Sequence, residues 1–154
     1  MFSIDDRLHD LGIEIPVAPA PVASYVPAVQ TGSLLIVSGQ VPFKDGKVLA
    51  HGPVPSVVSA EDAAVAARQC AINGLAVAKA SLDGDLSRIT QVVRLGVFVQ
   101  SDDRFDGQPA VANGASELMV DIFGDAGRHA RAAVGVNALP LDVSVEIEFV
   151  FEVR

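Results

Sequence analysis

Residues 129–154, HARAAVGVNALPLDVSVEIEFVFEVR, hold two apolar segments joined through Leu139 and Pro140, and their patterning narrows the folds open to this chain. In the second segment the odd positions Val143, Val145, Ile147, Phe149 and Phe151 are apolar, while the even ones carry Ser144, Glu146, Glu148 and Glu152. That period of two is a half-buried strand. In the first segment Arg131 shares its parity with Ala133 and Gly135, so its guanidinium stands over small residues with room beside it. A charge in an apolar segment is costly unless it is paired or meets a ligand. Two readings follow: a pocket for something small and anionic, or an ordinary ion pair with Glu146. A hairpin centred between Ala138 and Leu139 would set Arg131 opposite Glu146, although consecutive strands need not pair.

Working back from this end, residues 109–123 read as a helix with Leu118, Met119 and Ile122 facing the core and Gly124 near its end. ITQVVRLGVFVQS, residues 89–101, is a strand followed by the loop DDRFDG. Ser59 is an N-cap for a long Ala-rich helix over 60–81, closed by Asp83 and Gly84. SLLIVSGQVPF, residues 33–43, is a strand, and the Asp-Gly of KDGK predicts a tight hairpin with Lys47, Val48 and Leu49 returning. Ser3 and Asp6 can cap a short helix over 4–11, ahead of the Pro-rich arm IPVAPAPVASYVP. The expected order is β-β-α-β-α-β-β in a single domain, residues 1–154, with the helix and arm occupying about 1–23.

A chain of 154 residues, half of them hydrophobic, can bury a substantial core. No apolar run spans a bilayer and MFSIDDRLHD is acidic, so a cytoplasmic, membrane-free protein is expected. A net charge of −8 without a basic stripe argues against a nucleic-acid partner. Cys70 lies in the Ala-rich helix and reads as a buried, inert thiol. His9, His51 and His129 lack metal-ligand spacing and read as surface or loop residues, with His129 sharing the parity of Arg131. SGQVPFKDGKV is not a phosphate loop: six residues separate Gly39 from Gly46 where four are needed, and Val48 stands where Ser or Thr must reach magnesium. The acidic run Asp102, Asp103 and Asp106 reads as a solvated loop.

Three stretches, SYVPAVQTGSLLIVSGQVP, SRITQVVRLGVFVQSDDRF and RAAVGVNALPLDVSVEIE, together resemble the YjgF-type family, also called the reactive-intermediate deaminase or Rid family and formerly the endoribonuclease L-PSP family. The likeness spans residues 24–153. It implies an α+β fold like that of the Bacillus-type chorismate mutase: an antiparallel-rich sheet, two helices on one face, and a homotrimer with a ligand cleft at each subunit interface. In such a fold the last strand inserts beside earlier ones, which displaces the simple hairpin but leaves Arg131 and Glu146 expected in one cleft.

Carried over by position, Arg131 matches the family arginine that grips a substrate carboxylate and Glu146 the glutamate that positions water. Tyr25, Ser38 and Gly39 match residues lining the cleft, and Asn113 matches an asparagine near it. Ala133 stands where the family often has cysteine, its backbone N–H still available. The implied activity is hydrolysis of 2-aminoacrylate-type enamines and 2-imino acids to 2-keto acids and ammonia, with no cofactor and no metal. Two alternatives stay open: a non-catalytic metabolite-binding or regulatory trimer, and an endoribonuclease or translation inhibitor.

Overall fold

The computed structural model describes residues 3–20 and 24–154. Part of the Pro-rich arm, residues 21–23, and the first two residues lie outside this description. A short helix α1 (Ile4–Asp10) opens on a capping box in which Ser3 and Asp6 satisfy each other's backbone N–H, as the sequence predicts. Strands β1 (Ala28–Thr31) and β2 (Leu34–Gln40) follow, then the hairpin strands β3 (Phe43–Lys44) and β4 (Lys47–Val48). Asp45 and Gly46 turn that hairpin at φ 51° and 78°, the left-handed pair that a two-residue loop requires. Helix α2 (Ala60–Ser81) starts at Ser59, whose hydroxyl accepts from the Asp62 N–H. Strand β5 (Ile89–Gln100), helix α3 (Gln108–Phe123), and strands β6 (Ala130–Val136) and β7 (Val145–Val153) complete the chain.

Five strands form one mixed sheet in the order β1-β2-β7-β5-β6. Within this sheet β5 and β6 run parallel and the other neighbouring pairs are antiparallel. The odd residues of β7 (Val145, Ile147, Phe149 and Phe151) are fully buried beneath α2 and α3, beside Leu95, Val97 and Val99 of β5. The Phe149 and Phe151 rings stack at 5.9 Å. Cys70 is buried and its thiol is pushed well up by desolvation, as expected of an inert residue. Among the described residues no helix is long and apolar enough to cross a membrane.

Two expectations change. Residues 28–31 form an edge strand that local patterning leaves unmarked, because four largely exposed residues carry too little alternation. The single strand expected over 33–43 is instead β2 and, after a break at Val41 and Pro42, the separate β3. As the family resemblance implies, no hairpin joins the Arg131 and Glu146 segments: β7 inserts between β2 and β5, and β5 separates it from β6.

Among the described residues no helix covers the second face of the sheet. Val29, Leu34, Ile36 and Val134 are 37–53% exposed there or along its edges, as their pairing with Ile36, Glu152, Val150 and Phe98 places them. A solvated sheet face normally alternates to polar residues.

Candidate functional site

Register decides where each expected residue points. Arg131 pairs with Leu95, whose side chain is in the core, so Arg131 is on the helix face. There α3 meets it: Nη1 donates to Asn113 Oδ1 at 2.8 Å and to Ser116 Oγ at 3.1 Å. Asn113 and Ser116 stand three apart, one above the other on a single helix face. Both Nη1 hydrogens are therefore committed to α3. The Nε and Nη2 hydrogens have no partner among the described residues, leaving the planar edge that suits a carboxylate. Ala133, two residues on, shares this face and packs against the core. A cleft of about 410 Å³ opens here, lined by Ser116, Val120, His129 and Arg131 among others.

Glu146 pairs with Phe98 and points to the opposite, helix-free face. Its carboxyl lies over Gly39, where an added Cβ would stand 2.5 Å from Oε1, so any larger residue there would have to displace the Glu146 side chain. The register shifts between Val37 and Gln40, making a bulge at Ser38 and Gly39 that re-aims the strand beside this carboxylate. Burial, then the charge of Glu148, raises the Glu146 carboxyl above the ordinary glutamate range. Glu148 has its own partner, Arg94, at 3.0 Å, whereas Glu146 has no ion pair or hydrogen bond among the described residues. Ser38 Oγ donates to the Val26 carbonyl at 2.8 Å, which ties β2 to the segment holding Tyr25.

Six of the seven expected residues thus fall into two groups, Arg131, Asn113 and Ala133 on one face and Ser38, Gly39 and Glu146 on the other, while Tyr25 lies half exposed in the segment before β1. Within one chain Arg131 and Glu146 lie on opposite faces of the sheet and are not an ion pair, which corrects the ion-pair reading. Strand parity orders side chains within a strand but says nothing about faces across an unknown pairing. Sequence reasoning also left Ser116 unnamed, although its spacing of three from Asn113 was the available signal. A larger cavity of about 820 Å³, between the N-terminal arm, the β3–β4 hairpin and α2, contains none of the expected residues.

The model of the YjgF/chorismate mutase-like family matches residues 5–153. This chain belongs to that family. It is 43% identical over 149 residues to protein TCP17 of Trypanosoma cruzi, covering 96% of this chain and 92% of that one. It is 34% identical over 133 residues to a 2-iminobutanoate/2-iminopropanoate deaminase of Salmonella typhimurium, covering 85% and 88%. A solved protein of unknown function from Agrobacterium tumefaciens superposes with a TM-score of 0.92 at 47% identity, covering 98% of this chain and 92% of that chain. The YjgF gene product of Escherichia coli gives 0.64 at 31%, covering 89% and 94%. The YjgF-type resemblance read from the sequence is therefore correct, and the fold is the α+β fold of the YjgF/chorismate mutase-like proteins, with a mixed sheet and three helices.

Proposed function

We propose that this YjgF-family protein is a homotrimer that hydrolyses 2-imino acids to 2-keto acids and ammonia, each site assembled from two copies. The observation that carries the reading is the Arg131 guanidinium, anchored through Nη1 with its Nε–Nη2 edge unpaired among the described residues. Such an edge accepts a carboxylate bidentately and so fixes the neighbouring imine carbon. Relatives named 2-iminobutanoate/2-iminopropanoate deaminase support the substrate class.

The water-handling group comes from a second copy, since Glu146 lies on the other face of its own sheet. Apolar side chains exposed on that face, Leu34, Ile36 and Val134 among them, favour covering by another copy. Glu146, raised in pKa by burial, takes a proton from water as it adds to the imine carbon. The carboxyl returns that proton to nitrogen, giving a carbinolamine, and then relays the hydroxyl proton to the same nitrogen as the C–N bond breaks and the C=O forms, leaving a keto acid and ammonia. Ser38 and Tyr25 would lie beside this carboxylate, and the Ala133 backbone beside the clamp.

The test supplies 2-imino acids in place from an amino-acid oxidase and measures the rate of keto-acid formation with and without the protein. Acceleration that depends on Arg131 is expected. Binding of 2-ketobutyrate without acceleration would favour a metabolite-binding trimer instead.

A further inference from the structure

The anchoring of Arg131 continues past Ser116. His129 Nδ1 lies 2.6 Å from the Gly127 carbonyl oxygen, which can only accept, so Nδ1 carries a hydrogen. In the neutral ring Nε2 is then an acceptor, 2.9 Å from Ser116 Oγ, and takes the hydroxyl hydrogen. That leaves the Ser116 oxygen turned to accept from Arg131 Nη1. Donation runs one way, from Arg131 to Ser116 to His129, and from His129 to the Gly127 carbonyl. Gly127 is buried where the chain leaves the end of α3, so the relay ends on fixed backbone.

We infer that Ser116 and His129 are positioning residues that set the bearing of the Arg131 carboxylate-binding edge. This rests on reading Arg131 as the carboxylate clamp. With Asn113 alone, one hydrogen bond holds Nη1 and the guanidinium can pivot about it. A second bond from a different point of α3 stops the pivot. His129 contributes by fixing the Ser116 hydroxyl, because a serine free to rotate its hydrogen toward Arg131 would repel the N–H it now accepts.

The two residues act as one unit, which makes a double-mutant cycle the decisive experiment. The probes are 2-ketobutyrate affinity by calorimetry and kcat/KM for imine hydrolysis, on the full chain, with melting temperature as the control for folding. Ser116→Ala and His129→Ala should each weaken both quantities about three- to tenfold, the worth of one hydrogen bond. The double variant should be no worse than either single one, within about twofold. Ser116→Thr, which keeps the hydroxyl, should recover most of the affinity; a lesion that was only structural would not be rescued this way.

Multiplicative losses in the double variant, or wild-type values in both single variants while Arg131→Ala is inactive, would overturn the relay and leave the clamp standing. A wild-type protein that neither binds the keto acid nor accelerates hydrolysis would overturn the clamp itself, and the relay with it.

Discussion

Replacing Arg131 by alanine removes two kinds of contact of unequal worth. Inward, Nη1 loses its bonds to Asn113 and Ser116, at 2.8 and 3.1 Å. Arg131 is exposed in the chain, so these neutral partners are left near water and stability should change by only about 1 kcal/mol, roughly 2–4 °C in a domain of this size. Outward, the Nε–Nη2 edge loses a bidentate, charge-assisted grip on a carboxylate. Truncating one partner of such a desolvated pair costs about 2–5 kcal/mol, which is roughly thirty- to several-thousand-fold in rate. The assay is keto-acid formation from oxidase-generated 2-imino acids, read beside a melting curve. Arg131→Lys should also be poor, because an ammonium has no planar fork and cannot hold Asn113, Ser116 and a carboxylate together. Turnover at the wild-type rate in Arg131→Ala would refute the carboxylate clamp.

Glu146→Gln should lower turnover by about 10²–10⁴ while 2-ketobutyrate still binds, as calorimetry would register. Because folding raises the Glu146 pKa, its stabilising contribution is fully present below the unfolded-state pKa and lost as pH rises through the folded one. Glu146→Gln should therefore melt higher than wild type at neutral pH, with the difference vanishing in acid; a lower neutral melting temperature would contradict this. Gly39→Ala places a methyl group 2.5 Å from Glu146 Oε1 and must push the carboxyl aside, so hydrolysis should fall by up to about 10²-fold with the circular dichroism unchanged. Sedimentation at micromolar concentration should give a trimer, and a stable monomer would leave each site with only half its residues.

Sequence alone determined what short-range physics controls. The alternation of β7 marked its core face, Ser3 and Ser59 marked helix starts, and Asp45-Gly46 marked a hairpin, because each depends on side chains and dihedrals a few residues apart. Arg131, Asn113, Glu146 and Gly39 are candidates for the site by residue type and position within a family pattern. The tertiary structure alone decided strand order, and with it which of these residues are neighbours. Placing β5 between β6 and β7, parallel to one and antiparallel to the other, sent Arg131 to the helices and Glu146 to the open face. Parity within a strand is local, but the face it selects depends on which strands the core brings alongside. That outcome belongs to the packing of the whole chain, with Leu95 and Phe149 paired beneath the helices, and no window of sequence contains it.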